Sequence, residues 1–437
     1  MEVICVHSLW SETVTLPSFE SLNKNLKTDV LIIGGGITGI LCAHYLQQAG
    51  VNYCLVEANT ILSGITKNTT AKITSQHGLI YHKLMKKYGA DTAGLYLEAN
   101  ENALWEYRKL SSGVLCDFVE ENNYVYSLAD RSKLEKELDA LSKLGYPAFF
   151  KENLPLPIST VGAVAFPNQA KFHPLKLLSS LAKPLHIYEH TKVQELAGNL
   201  AITNHGKIQA DKIIVTTHFP FLNKHGSYFF KLYQHRSYVL ALTHAEKTNG
   251  MYVDEAASGL SFRTHQNLLL LGGGGHRTGK QGGSYTELRE FAAKYYTDAQ
   301  EVYHWATQDC MTLDSIPYIG PYSRHTPALY VATGYNKWGM TSAMTAALLL
   351  RDLVTEKHSE YAEVFSPSRS ILHPQLLLNG LESTVNLLTP ARKRCPHLGC
   401  ALKWNKAEHT WDCPCHGSRF TESGELIDNP ATDDIKK

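Results

Sequence analysis

Asp29-Val-Leu-Ile-Ile33 runs into Gly34-Gly-Gly36-Ile-Thr-Gly39, and then into Ile40-Leu-Cys-Ala-His-Tyr-Leu-Gln-Gln48. The first piece is apolar and rich in β-branched residues, as a strand covered on both faces of a parallel sheet requires. The second is a G-x-G-x-x-G turn, and the third has a helical pattern that Gly50 stops. A second strand, Asn52-Tyr-Cys-Leu-Val-Glu57, ends in an acid 18 residues past the last glycine (57 − 39). Glycines here admit a tight turn and the close approach of a pyrophosphate, whose charge meets the N-terminus of the helix. Glu57 stands where an acid binds ribose hydroxyls. The glycines alone would say little. With strand, helix and acid in place they predict an α/β, doubly wound, Rossmann-like dinucleotide-binding domain.

The far end carries a different chemistry: Cys395-Pro-His397-Leu-Gly-Cys400, then Cys413-Pro-Cys415-His416-Gly-Ser418. One Cys and one His from each loop make a Cys₂His₂ set, Cys395, His397, Cys413 and His416. Such a set suits a [2Fe–2S] centre in which two imidazoles replace two thiolates on one iron. It also suits tetrahedral zinc. Three details favour iron–sulfur. The pairs are C-x-H and C-x-x-H, mixed within each loop, whereas a zinc finger groups its cysteines and its histidines. Cys400 and Cys415 occupy matching places, where a disulfide could tie the loops over the metal. Gly399, Pro414, Gly417 and Ser418 suit tight turns that aim backbone N–H groups at sulfide. The chain then reads as two redox modules in series.

Its 437 residues suit two domains and a small module. A net charge of +1 argues against a nucleic-acid partner held by bulk charge. The start, Met1 to Trp10, lacks a basic stretch followed by a long apolar run, so a cytoplasmic location is expected. Apolar runs such as Ala346-Ala-Leu-Leu-Leu350 are too short for a membrane span. Nine cysteines in this length are not a disulfide framework; Cys5, Cys42, Cys54, Cys116 and Cys310 are expected to be reduced. No Ser-His-Asp arrangement, H-E-x-x-H or Walker loop supports hydrolysis or phosphoryl transfer.

Further segments bear on which dinucleotide binds. A small-residue loop, Ser63-Gly-Ile-Thr-Lys-Asn-Thr-Thr-Ala-Lys-Ile-Thr74, follows the second strand. Ala210-Asp-Lys-Ile-Ile-Val-Thr-Thr217 is a strand ending in hydroxylic residues. Thr312-Leu-Asp314-Ser-Ile-Pro317-Tyr-Ile-Gly320 and Tyr330-Val-Ala-Thr-Gly334-Tyr-Asn-Lys-Trp338-Gly339-Met-Thr341 lead into an Ala/Leu-rich helix. This set resembles the D-amino-acid-oxidase-like FAD-dependent amine oxidoreductases, and the C-terminal cluster resembles the Rieske family. The fusion is similar to a bacterial subgroup. The resemblance implies FAD and a Rieske [2Fe–2S] cluster as cofactors, with Cys395, His397, Cys413 and His416 as cluster ligands. It implies flavin contacts at Gly34, Gly36, Ile37, Thr38, Gly39, Glu57, Ala58, Thr66, Thr70, Ala71, Val193 and Thr217. Gly334, Trp338, Gly339, Met340 and Thr341 complete that set. Lys67-Asn68 depart from the family's usual Gly-Arg loop. Phe420 stands where respiratory Rieske proteins carry a Tyr that hydrogen-bonds a ligand sulfur, so a lower potential is expected.

The expected architecture is a discontinuous FAD-binding domain at 1–80, 155–220 and 300–360, with an α+β substrate domain of mixed sheet at 81–154 and 221–299. A linker at 361–386 leads to a cluster-binding module at 387–437, which lacks upstream strands and must lean on the main body. Gly78-Leu-Ile-Tyr81 and Ala165 to Pro174 are read as the first segments of the substrate domain. The leucine spacing after Asp130 predicts an amphipathic surface helix. Leu268-Leu-Leu-Leu-Gly272-Gly-Gly-Gly275-His276-Arg277 reads as a strand end facing the flavin, or as a hairpin loop. His276, Arg277 and Tyr335 are the catalytic candidates; His173, Tyr238 and Arg263 also stand as substrate-facing candidates. Covalent flavin attachment at Cys310 is the less favoured alternative to non-covalent binding. The expected reaction is oxidation of an amine or amino acid by hydride transfer to flavin, with electrons passed to the cluster and on to an unnamed acceptor protein. Reversed flow from a ferredoxin-like donor, and a non-catalytic redox adapter or sensor, are the alternatives.

Overall fold

The structure, a computed structural model, describes residues 7–222, 225–256 and 259–436. Strand Leu26–Ile33 lies inside the first sheet, and its residues 30–33 are all buried, as the apolar run required. It runs parallel to Tyr53–Val56 and to Lys207–Val215, with Ile33 opposite Val56 and Val215. Ile187–Tyr188 extends the sheet on one side, and Leu329–Thr333 then Tyr318–Pro321 on the other. Helix Ile37–Gln48 leaves the carboxyl end of the first strand, and helix Gly339–Val354 follows the carboxyl end of Leu329–Thr333. The two helices pack together. Both N-termini therefore open at one edge of the sheet, the edge where doubly wound folds bind ligands.

A second sheet of nine strands, mostly antiparallel, faces this edge. It corrects the expected boundaries. Gly162–Lys171 and Gln300–Thr312, assigned to the FAD-binding domain from sequence, are strands of this second sheet, paired with Val119–Ser127 and Leu232–Thr243 respectively. Lys72–Ile73 joins it as well. Leu268–Arg277 is a strand of the same sheet along its whole length, not a hairpin loop. Helix Arg131–Lys143 forms as its leucine spacing requires, capped by the Asp130 carboxylate, which accepts the Lys133 N–H at 3.2 Å.

The 361–386 stretch is not a plain linker. Arg369 clamps it to the body, donating to both carboxylate oxygens of Asp314 (2.7 and 2.9 Å) and to the carbonyls of Pro317, Ser366 and Ile316. Burial pushes the Asp314 carboxyl up, but Arg369 and the Tyr88 hydroxyl outweigh it and hold the group below the usual carboxylate range. Breaking a buried pair strands the remaining charge. Arg369→Ala is accordingly expected to cost about 3–5 kcal/mol in chemical denaturation. Because the folded Asp314 titrates lower than the unfolded one, its contribution is present above the unfolded value and is lost as pH falls through the folded one.

Helix Pro374–Leu388 follows, started by Pro374 at its first position and by His373, whose ring nitrogen accepts the Gln375 N–H. Asn379 and Asn386 are buried, while Leu377, Leu381 and Leu388 are exposed. The helix meets the body through amides: Asn379 Oδ1 accepts from Arg277, and its Nδ2 donates to the Phe230 carbonyl. Beyond it, four short antiparallel strands, Lys403–Asn405, Thr410–Asp412, Arg419–Phe420 and Leu426–Asp428, carry the two Cys/His loops.

Candidate functional site: a dinucleotide cavity beside a Cys/His pair of loops

A cavity of about 1030 Å³ lies between the two sheets at the carboxyl ends of the parallel strands. Every dinucleotide candidate named from sequence lines it except Gly39, Ala71 and Thr341. Those three stand directly behind the wall. A Cβ on Gly39 would lie 1.9 Å from the Gly34 carbonyl oxygen, so the third glycine serves helix–strand contact. Gly34 has φ of +112°, which glycine alone adopts readily. Gly36 caps helix Ile37–Gln48 with no side-chain cap, leaving the approach to its N-terminus bare. Thr66 Oγ1 accepts the Ile37 N–H at 3.0 Å and fixes the small-residue loop against that helix. Glu57 accepts the N–H groups of Gly35 (2.7 Å) and Asn59 (2.9 Å), which aims its carboxylate along the glycine turn. A bare helix N-terminus, a positive-φ glycine and a roomy cavity fit a dinucleotide cofactor.

The substrate-side candidates separate. Tyr335 and Tyr238 line the cavity, and Tyr335 shares a 2.9 Å hydrogen bond with Thr38. His276 does not line it; its Nε2 lies 3.1 Å from the Tyr238 hydroxyl and supports that ring from behind. Arg277 is a correction. Its guanidinium points away from the cavity, donating to the carbonyls of Pro414 and Cys415 and to Asn379. The strand end that sequence placed over the flavin thus holds the second Cys/His loop. Arg263 donates to the Thr70 and Ala71 carbonyls and shapes the cofactor loop, while His173 caps helix Pro174–Ala182. Cys310 reaches the cavity, but burial pushes its thiol up to about 12, against the thiolate that covalent attachment requires.

Among the charged and polar lining residues that sequence reasoning missed are Lys72, His77, Asp309 and Lys337. His77 stacks on Trp338 at 5.2 Å, and its nitrogens lie 2.6 Å from the Tyr96 hydroxyl and 2.9 Å from Thr341 Oγ1. Burial pushes it down to about 3, so it is a neutral ring. Burial, then the Arg263 charge, pushes Lys72 down to about 7. Burial pushes the Asp309 carboxyl up to about 6, and also lowers Lys337. No arginine lines the cavity among the described residues.

At the C-terminal module the four ligand candidates converge. The thiols of Cys395 and Cys413 are hydrogen-bonded to each other, and the rings of His397 and His416 are 5.0 Å apart. His416 Nδ1 is buried with no hydrogen-bond partner among the described residues, an orphan that a metal bond would satisfy. The Sγ atoms of Cys400, Cys413 and Cys415 also lie within 4.8 Å of one another. Cys400 and Cys415 are joined in a disulfide across the two loops, which excludes them as ligands. The N–H groups of Gly399 and Gly417 close tight turns onto the carbonyls of Cys395 and Cys413. This donor set fits a [2Fe–2S] cluster held by two thiolates and two imidazoles.

The module is seated on the second sheet. Gln234 Nε2 donates to the His416 and Asn429 carbonyls, and Gln308 Nε2 to the Gly417 carbonyl, all at 2.9–3.0 Å. Glu408 of the module pairs with the buried Arg236 and with Arg419. The neighbours of Gln308, Thr307 and Asp309, line the cavity. One strand, Gln300–Thr312, thus has a cluster loop on one side and the cavity on the other. The His416 ring also packs edge-on to Phe219 and Phe229, both 6.3 Å away. No helix of the described residues is long and apolar enough to cross a membrane.

The family FAD dependent oxidoreductase (DAO) matches residues 29–353, and the Rieske [2Fe-2S] domain family matches residues 385–437. The Rieske 2Fe-2S iron-sulfur protein YhfW of Bacillus subtilis (strain 168) is 36% identical over 495 residues, covering 98% of this chain and 96% of that protein. The cytochrome b6-f complex iron-sulfur subunit of Nostoc punctiforme is 51% identical over 37 residues, 8% of this chain and 21% of its own length. Among solved structures, glycine oxidase from Geobacillus kaustophilus superposes with a TM-score of 0.67 at 18% identity, covering 79% of this chain and all of that one. L-proline dehydrogenase from P. horikoshii gives 0.66 at 19% identity, covering 79% and 98%. The chain belongs to the DAO family of FAD dependent oxidoreductases and carries a C-terminal Rieske [2Fe–2S] domain, FAD and the cluster being its two cofactors.

Proposed function

We propose that this oxidoreductase is a dehydrogenase of small amines or amino acids that hands its electrons to the Rieske cluster. The observation that carries the reading is the single strand, Gln300–Thr312, shared by the cavity and the cluster loop. When bound, the flavin supplies a hydride acceptor and the cluster a one-electron acceptor. The residues do the rest. Lys72 and Lys337 place amines in a cavity that no arginine lines among the described residues, and a substrate carboxylate beside them would favour their charged forms against the burial that lowers both. Asp309, pushed up to about 6, suits taking the proton that an ammonium loses before its Cα–H bond can break. The neutral His77, stacked on Trp338, adds no charge to this wall. The solved relatives support the substrate class by name: a glycine oxidase, an L-proline dehydrogenase and an L-amino acid deaminase from Proteus vulgaris share the fold.

The test is anaerobic mixing of the holoprotein with a panel of primary and secondary amino acids and simple amines. The expected result is loss of flavin absorbance with the rise of a Rieske-type EPR signal. Flavin bleaching without that signal would sink the relay. A panel that never bleaches the flavin would sink the substrate class.

A further inference from the structure

We infer that residues 426–434, the last strand and tail of the Rieske domain, form part of the flavin site and close it over the adenosine end of FAD, so that cluster assembly and FAD retention are coupled. This rests on the cavity being the FAD site. Asp428, Asn429, Ala431, Thr432 and Asp434 line the same cavity as Glu57 and Val193. Two ties fix the tail there. Asn429 Nδ2 donates to the carbonyls of Thr217 (2.6 Å) and Phe219 (2.7 Å), just past strand Lys207–Val215. Lys192 Nζ donates to the Thr432 carbonyl at 2.6 Å. Its neighbour Thr191 donates its N–H to the Glu57 carbonyl at 2.8 Å, which sets the tail beside the ribose-binding acid.

The other end of the tail is anchored to the cluster loop. The Ala431 N–H donates to Ser418 Oγ at 2.9 Å, and the Ser418 carbonyl accepts the Cys413 N–H at 2.8 Å. Two hydrogen bonds thus run from a cluster ligand to the cofactor wall. Metal binding orders the loops that hold it. A loop ordered by the cluster orders the tail, and the linkage is reciprocal: FAD that packs against the tail favours the loaded cluster site.

The experiment uses full-length holoprotein and follows FAD release by the rise in flavin fluorescence after dilution. Asn429→Ala and Lys192→Ala are each expected to speed release about fivefold, and the pair about 20-fold, as loss of neutral and charged hydrogen bonds at separate places implies. Lys192 lies outside the Rieske domain and, among the described residues, bonds only the Thr432 carbonyl there, so its variant, kept saturated with FAD, retains the wild-type iron count and EPR spectrum. Removing iron with a chelator is expected to speed release of FAD likewise. Wild-type release rates from the flavin-loaded double variant, or from the iron-free protein, would overturn the inference alone. A wild-type protein that takes up no FAD on reconstitution would overturn the reading of the cavity and the inference with it.

Discussion

Cys413→Ser is expected to remove the Rieske EPR signal and most of the bound iron while, with FAD in excess, the flavin is still reduced by substrate. The thiol of Cys413 is buried against that of Cys395, and the two cluster loops hold no further free thiol to replace it, since Cys400 and Cys415 are bonded to each other. Losing a partner that merely orients a ligand costs a metal site about 10–100-fold in affinity, and losing a ligand costs more than about 100-fold. Anaerobic flavin reduction measured beside the EPR amplitude separates the half-reactions. A variant that kept its signal would place the cluster elsewhere, and one that lost flavin reduction at saturating FAD would argue against electrons entering at the flavin.

Gly39→Ala carries the second large effect. The added Cβ would sit 1.9 Å from the Gly34 carbonyl oxygen and 3.1 Å from Thr216 Oγ1, backbone on one side and a packed hydroxyl on the other. The helix must move away from the strand, taking with it the N-terminus that faces the cavity. Forced overpacking of this kind costs about 1–3 kcal/mol and occasionally more. Where strain at the top of that range falls wholly on the cofactor-bound state, FAD binds about 150-fold more weakly. Equilibrium titration of deflavinated protein measures this; affinity within threefold of wild type would show that the third glycine has no packing role.

Much of this was legible in the chain because the signals were local. The strand, glycine turn, helix and acid from Asp29 to Glu57 follow one another, and the structure reproduces them in order. What failed depends on partners far away in sequence. Gly162–Lys171 and Gln300–Thr312 look like strands from their own residues, yet only their ladders with Val119–Ser127 and Leu232–Thr243 decide the sheet. Lys72, His77, Asp309 and Lys337 line one cavity from segments up to 265 residues apart (337 − 72), and no motif joins them. Arg277 differs from its expected place for a related reason: the strand's glycines do not say where its last side chain turns, and just past the strand the chain runs against the second Cys/His loop, where a Cβ on Gly279 would lie 2.6 Å from Pro414 N. Helix Pro374–Leu388 was within reach. Its Leu377, Leu381, Val385 and Leu388 recur at helical spacing after a Pro start, but its inward face is built from asparagines, so it did not read as part of a core.

The amide grip of Gln234 and Gln308 on the second Cys/His loop, reinforced by Arg277 and by the Arg236–Glu408 pair, leaves the redox head no swing. A carrier on a flexible stalk delivers charge by travelling; this one is soldered in place. A partner that exchanges electrons with the cluster, in either direction, must come to it, and the speed of exchange is then set by collision with a fixed terminal and not by the pendulum motion of a tether.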